Sequence, residues 1–320
     1  WKSFQRYGTY PIFVVVGVST VLAGIRAGYH PFAVIAVVHL IGAGITEILE
    51  RLYPWTEDWN HPKGDRAVDL IHAAVSNIGF LEVFKAVVLG ALVLVSAKMS
   101  AALGVTLWPH HWPLLAQMML GVLIGDFFFH FGHQYMHEND FGWSFHVAHH
   151  SAERLYWLNG LRTHPFNSIV SFGCFQLPLV LLGANEAALA ATASFIATHG
   201  LLQHSNIDLR LGFLNKIFSG PELHRWHHSR VVEEANSNYG NCISVWDVVL
   251  GTWFMPADRE PPKDVGIQGM PNYPMHSWWA QVRAPFEWKR LKAEAQALTG
   301  APAPADAEFA AVPEPAVEHA

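Results

Sequence analysis

The chain reads as an all-α, multi-pass membrane helical bundle of about four spans plus a helical hairpin, with a histidine-rich cap on the cytoplasmic side. Three observations predict this. Hydrophobic residues make up 51% of the 320 and charged residues only 14%, well below the quarter or so that is usual in soluble domains. The apolar residues fall in runs long enough to cross a bilayer, which takes roughly 20 residues. The 20 histidines are bunched between those runs instead of being spread along the chain.

Residues 10–28 form the first expected span, broken only by Arg26 near its end. That run is too long for the apolar core of a signal peptide and has no small-residue cleavage site. Residues 32–49 form the second and 71–97 the third. Glu82 and Lys85 lie three apart in the third and can pair with each other. Residues 112–131 form the fourth. Residues 166–203 are about twice a spanning length, with Gly183-Ala184-Asn185-Glu186 at the middle. Two helices joined by a tight turn are expected there. From Leu298 the composition turns to Ala, Pro and Glu, which cannot bury a core and predicts disorder. The expected divisions are therefore 1–111 (N-terminal spans), 112–256 (histidine-bearing catalytic domain), 257–297 (C-terminal cytoplasmic segment) and 298–320 (disordered tail).

Orientation follows from the bias of Lys and Arg between spans. Lys2 and Arg6, then Arg51, Lys63 and Arg66, then Arg154 and Arg162, then Arg210, Lys216, Arg225 and Arg230 share one side if the spans alternate. The opposite loops hold only Arg26 and Lys98 nearby. The basic side is thus expected to be cytoplasmic, and every histidine cluster falls on it. The net charge is −6 with no basic run, which argues against a nucleic-acid partner. Cys174 and Cys242 form no Cys-x-x-Cys pair, which argues against iron–sulfur, zinc-ribbon and c-type haem sites. They are expected to be unrelated thiols.

The first cluster is His130, His133 and His137, spaced three and four apart so that one helical face carries all three rings. The second is His146-Val-Ala-His149-His150 and the third His224-Arg-Trp-His227-His228. These two share the pattern His-x-x-His-His. A lone exposed pair of this kind is more often solvated surface than ligand, and interfacial histidines also serve as anchors or pH sensors. Two copies of one pattern plus a third stripe, all on one side, point instead to metal. Eight rings (His133, His137, His146, His149, His150, His224, His227, His228) exceed the three or four protein ligands of one ion, so two ions are expected. Imidazole alone leaves zinc, copper, iron and nickel open. A metal transporter or sensor without oxygenase activity is the competing reading. A transporter would place its ligands near the midplane of the bilayer, whereas these lie at the ends of spans.

The same residues resemble the fatty acid hydroxylase and sterol desaturase superfamily, whose members carry three histidine boxes in this order. Here they read His133-Gln-Tyr-Met-His137, His146-Val-Ala-His149-His150 and His224-Arg-Trp-His227-His228. The flanks are similar too: Asp126-Phe127, Ser151, Arg162-x-His164-Pro165, Gln203-His204-Ser205-Asn206, Asn238-Tyr239-Gly240 and Trp246-Asp247-x-x-x-Gly251-Thr252. The resemblance implies a membrane-bound, oxygen-dependent oxidoreductase with two iron ions (Fe2+) that hydroxylates or desaturates a lipid, whether sterol, fatty acyl or related. It implies His204 as a ninth metal ligand beside the eight box histidines, and no catalytic residue beyond the metal site. Lacking a cytochrome b5-type His-Pro-Gly-Gly and a cysteine set, the chain is expected to take electrons from a separate ferredoxin or cytochrome b5-like donor with its reductase. Arg154, Arg225 and Arg230 are candidates to dock an acidic donor or to meet lipid headgroups.

Two positions depart from the family pattern: Gln134 stands in place of Arg and His130 in place of Tyr. His130 is therefore left outside the ligand set. His164 is expected to shape a helix start and His199 to be a hydrogen-bonded core histidine. Asp126, Asp208, Glu222 and Asn238 are candidates to orient imidazole N–H groups, or else caps and salt bridges.

Overall fold

The computed structural model describes residues 2–104 and 107–300. Of the expected tail at 298–320, residues 301–320 lie outside the described residues, while Leu298 and Thr299 belong to the last helix and are not part of a disordered segment. Among the described residues the architecture is helical throughout, and strand-like pairing is limited to isolated bridges such as Pro54 with Ile207.

Helices α1 (Lys2–Arg26) and α2 (Pro31–Leu52) pack on each other across a short turn at Gly28. Gly28 has a φ of +83°, which a side chain would resist. The next long helix starts as α3 (Arg66–Ile71), passes through a π segment (His72–Leu81) and continues as α4 (Glu82–Leu103). Sequence alone places this span at 71–97 and gives no sign of the wider π turns. Their cause is tertiary. Buried His72 and Ser76 and their neighbour Asn77 bond outward to Thr163, Trp278 and Leu161. Glu82 and Lys85 do pair, at 2.7 Å.

Helix α5 (Leu114–Glu138) is the centre of the bundle and runs past the expected end at 131. It packs closely on α7 (Pro165–Leu181) and α8 (Glu186–Gln203) because small residues line its contact face. A methyl group on Gly121 would meet Thr192 at 2.4 Å, and one on Gly125 would meet Phe175 at 2.3 Å. Such Gly-x-x-x-Gly spacing lets membrane helices approach where no hydrophobic effect drives them together. The α7–α8 hairpin has its expected turn, with Asn185 capping α8 by accepting from the Ala188 N–H at 2.9 Å. The short α6 (Asp140–His150) doubles back on α5. The Asn139 side chain caps its first turn, and Gly142 sits against the Met136 backbone where a Cβ would not fit.

The remaining helices are short: α9 (Pro221–His227), α10 (Val232–Ala235), α11 (Val245–Leu250), α12 (Trp278–Arg283) and α13 (Trp288–Thr299). The C-terminal segment packs Ile267, Met270, Trp288 and Leu291 around Val147 of α6.

Among the described residues, four helical stretches are long and apolar enough to cross a membrane: Ser3–Arg26, Pro31–Leu52, Arg66–Lys85 and Leu114–Glu138, with α7 a shorter apolar helix. Their outward residues, including Val15, Leu40, Ile78 and Phe128, are exposed. A soluble protein would not leave so much contiguous apolar surface in water. The chain is an integral membrane protein.

Candidate metal centre

Four elements converge to form the site. The end of α5 supplies His133 and His137, α6 supplies His146, His149 and His150, and His204 sits at the C-terminal cap of α8. Helix α9 and its cap supply His224, His227 and His228. All nine are buried. They fall into two groups: His133, His137, His146, His150 and His227 in one, and His149, His204, His224 and His228 in the other. Within each group the nearest ring nitrogens lie within 4.8 Å of one another. The groups adjoin, with the His150 and His228 rings stacked 4.3 Å apart.

The division cuts across the boxes. In α6, His146 and His150, one turn apart, face one group and the intervening His149 faces the other. In α9, His224 and His228 face the second group and His227 the first. Positions i and i+4 lie one above the other on a helix, while i+3 is rotated to the far side of that line. Each His-x-x-His-His box thus gives a pair to one group and a single ring to the other.

The ring orientations suit metal binding. Nδ1 of His133 donates to the Tyr239 carbonyl at 2.8 Å, that of His227 to the Ser237 carbonyl at 2.8 Å, and that of His149 to the Arg162 carbonyl at 3.2 Å. Asparagine Oδ1 atoms accept from three more: Asn236 from His137 at 3.2 Å, Asn167 from His146 at 3.0 Å and Asn159 from His204 at 3.0 Å. A proton committed at Nδ1 leaves a lone pair on Nε2, directed inward. The inward Nε2 atoms then face each other: 3.0 Å for His133–His146, 3.2 Å for His146–His150, 2.7 Å for His204–His224 and 3.0 Å for His224–His228. Nitrogens bound at right angles to one ion, each ~2.1 Å from it, sit about 3.0 Å apart. Nε2 of His137 and of His227 is buried with no hydrogen-bond partner. Unpartnered buried acceptors of this kind are costly unless a cation takes the lone pairs, so the donor set fits metal.

Electrostatics agree. Burial, then the charge a neighbouring imidazole would carry, pushes His149 down to about 3. Burial takes His227 down to about 4. The same causes hold His146, His150, His224 and His228 well below the usual imidazole range. These six rings are therefore held neutral at neutral pH.

The loop carrying Asn236, Ser237 and Tyr239 is fixed by two buried carboxylates. Asp247 accepts from the Tyr239 N–H at 2.7 Å and the Gly240 N–H at 3.0 Å. Asp126 accepts from the backbone N–H groups of Asn241, Cys242 and Ile243 at 2.7–3.2 Å. Asn238 takes a φ of +53°, which Asn tolerates better than most residues.

Several expectations need correction. None of Asp126, Asp208, Glu222 and Asn238 bonds to an imidazole. Asp126 and Asn238 hold backbone, Asp208 pairs with Arg6 and Arg210, and Glu222 accepts from the Leu211 N–H and the Asn215 amide. The orienting groups are instead three asparagines and three carbonyls. The carbonyls carry no side-chain signature, and the Asn238-Tyr239-Gly240 motif was their only trace. Arg154 and Arg225 cannot dock a partner because both are buried. Arg154 is locked to Asp65, and Arg225 donates to the carbonyls of Ser205 and Ile207. Arg230 is half-buried and pairs with Glu153 and Asp264.

His130, His164 and His199 lie outside both groups. His164 accepts from the Phe166 N–H at the start of α7. His199 bonds to the Tyr10 hydroxyl and the Ser219 carbonyl. His130 lies 3.4 Å from Asp247. Cys174 and Cys242 are free.

Buried imidazoles gathered in two sets at one end of a membrane bundle define a membrane protein whose histidine clusters could hold metal. The family model for fatty acid hydroxylase matches residues 118–252. An ornithine lipid hydroxylase, OlsE, of Rhizobium tropici is 33% identical over 285 residues, covering 88% of this chain and 84% of that protein. Human alkylglycerol monooxygenase is 29% identical over 46% of this chain and 32% of its own length. Rat methylsterol monooxygenase 1 is 25% identical over 45% of this chain and 48% of its own. No solved structure matches the chain. The chain belongs to the fatty acid hydroxylase family and is an oxygen-using membrane lipid hydroxylase.

Proposed function

We propose that the chain is a di-iron hydroxylase of an amino-acid-bearing membrane lipid of the ornithine-lipid kind. The observation that carries the metal reading is the pair of buried imidazole sets, each with Nε2 lone pairs converging. His133, His137, His146, His150 and His227 would hold one iron, and His149, His204, His224 and His228 the other. With both ions bound, the site supplies oxidation of an unactivated C–H bond. One atom of O2 enters the C–H bond and the other leaves as water, with two electrons and two protons taken from outside. The protein's residues orient the rings through Nδ1, and Trp143 packs against His137 and His150 at 5.3 Å, where it limits water.

The substrate reading rests on where similarity extends. The monooxygenase relatives match less than half of this chain, whereas similarity to the Rhizobium tropici protein runs along most of it. The boxes describe the oxidant, and the residues outside them shape what reaches it. We read residues 112–256 as the catalytic unit, consistent with the family match at 118–252. The same reading places the centre on the cytoplasmic face, from the Lys and Arg bias, and takes electrons from a separate ferredoxin or cytochrome b5-like donor.

The test is lipid mass analysis of cells with and without the gene, alongside metal analysis of the purified protein. Gain of one oxygen in an aminolipid and about two irons per chain are expected. Loss of two hydrogens would make the enzyme a desaturase. Zinc alone, with no oxygen uptake in the presence of a reductant, would sink the di-iron reading.

A further inference from the structure

Helix α12 and the turn that follows it lie against the third span, not on the outer surface of the cap. The Trp278 indole donates to Ser76 Oγ at 3.1 Å, and Gln281 Oε1 meets His72 Nε2 at 2.8 Å. Ser76 and His72 belong to the same helical stretch as the outward-facing Ile78 and Val83. Beside these anchors Trp279 and Phe286 turn away from the protein and are 59% and 80% exposed.

A chain of aromatic rings links three elements through Phe145, which is itself buried, and the exposed rings of Phe141 and Phe166 also meet directly at 6.3 Å. The Phe286 ring lies 6.4 Å from Phe145, and Phe145 lies 4.5 Å from Phe166 and 5.2 Å from Phe141. Phe141 and Phe166 are themselves exposed. Phe166 occupies the first turn of α7, an apolar helix. The exposed rings therefore run into the apolar surface of α7 through Phe166, while α12 is anchored to the third span through the buried Ser76 and His72. Tryptophan and other aromatics are the residues that settle where acyl chains meet headgroups, because each ring has an apolar body and tolerates a wet edge.

We propose that this aromatic stretch is a bilayer contact, in which Trp279, Phe286, Phe141 and Phe166 insert into the headgroup–acyl boundary of one leaflet. Its occupant is lipid and not a second protein, because the stretch runs directly into surface that lipid already covers. The contact has a consequence for the metal centre. Phe141 and Phe145 lie on α6, which carries His146, His149 and His150, so seating the aromatics sets the depth of both imidazole sets relative to the leaflet. The clusters are held at the level where a lipid substrate presents the junction of headgroup and chain. The proposal rests on membrane insertion alone and stands whichever metal or substrate is found.

The test places a single environment-sensitive thiol label at Phe286→Cys or Trp279→Cys in the full chain, reconstituted in phospholipid nanodiscs. The unsubstituted chain is the labelling blank for Cys174 and Cys242, and Val83→Cys is the lipid-facing reference. Phospholipids brominated high on the acyl chain should quench the labels at 279 and 286 several-fold over unbrominated lipid, comparably to the reference. Bromines near the chain ends should quench them less. Quenching by aqueous iodide without lipid quenching would show a water-facing patch and overturn the proposal. Protection from both quenchers would show cover by protein, such as a second copy, and would overturn it equally.

Discussion

The two imidazole sets are built from the same residue type, yet they are supported differently. In the five-histidine set, four rings have an oxygen partner at Nδ1, and three of those partners come from one short loop, Asn236, Ser237 and Tyr239. That loop is tied down by the carboxylates of Asp126 and Asp247. In the four-histidine set only His149 and His204 have such partners, while Nδ1 of His224 and of His228 is buried without one. Those two rings are held by packing on each other and on His204. A ring fixed at Nδ1 presents Nε2 in one direction, and a ring fixed only by packing can rotate. The comparison teaches that ligand count alone does not rank the two sites, because the outer hydrogen bonds do part of the binding.

The largest test removes one ligand from each set. His227→Ala takes a proposed ligand from the five-histidine set and His149→Ala one from the four-histidine set. Each should cut lipid hydroxylation by more than about 100-fold, beyond what loss of an outer partner usually costs. The two should differ in metal content. His227→Ala leaves four donors in its set, three of them with an orienting bond, and should keep more metal per chain than His149→Ala, which leaves three donors of which two lack one. Metal analysis of both membrane-inserted variants measures this, and equal losses would break the asymmetry.

The next effect is expected at the loop. Asp247→Asn keeps the shape of the side chain but turns one acceptor oxygen into a donor facing backbone N–H groups. The Tyr239 carbonyl that holds His133 should shift, and metal affinity of the five-histidine set should fall roughly 10- to 100-fold. Asn159→Ala removes one imidazole partner, that of His204, together with its bonds to the Tyr156 N–H and the Arg154 carbonyl, and should weaken the four-histidine set by about 10-fold, at the low end of the same range. Competition against a graded chelator reads both. In the unsubstituted protein the same titration should strip the four-histidine set first. Simultaneous loss of both ions would mean the sets bind as one unit.

Much of this was legible in the sequence, for identifiable reasons. Spanning helices and the α7–α8 hairpin show because apolar runs and a Gly-Ala-Asn-Glu turn are local signals. The eight box histidines show because each box repeats at helical spacing, whereas His204 stands alone at the end of α8 and entered only through the family resemblance. The division into five and four does not show, since a stripe read as one face is split by the angle between i+3 and i+4 once α6 folds back on α5. The π segment His72–Leu81 was hidden because its cause is contacts made by residues some 90 to 200 positions away. The backbone carbonyls of Arg162, Ser237 and Tyr239 were hidden because any residue type supplies one. Arg154 and Arg225 were misread as surface because nothing local reports that a guanidinium is enclosed by Asp65 or by carbonyls.

The smallest expected effect belongs to His130, the one histidine of the first stripe that joins neither set. It is fully buried with both ring nitrogens lacking a hydrogen bond, 3.4 Å from Asp247 and edge-on to Tyr239 at 5.6 Å. It therefore touches the carboxylate and the loop residue that position His133, but donates to neither within bonding geometry. His130→Tyr should keep that packing and bring a hydroxyl toward Asp247, an oxygen acceptor with a free direction beside its bonds to Tyr239, Gly240 and Thr252. Metal content should stay at the unsubstituted level, and turnover should change by no more than about 10-fold, the low end of the cost of an altered outer shell. Loss of one ion per chain in this variant would place His130 among the ligands. The five-histidine set would then hold a sixth donor, and its advantage over the four-histidine set would come from ligand number and not from the loop.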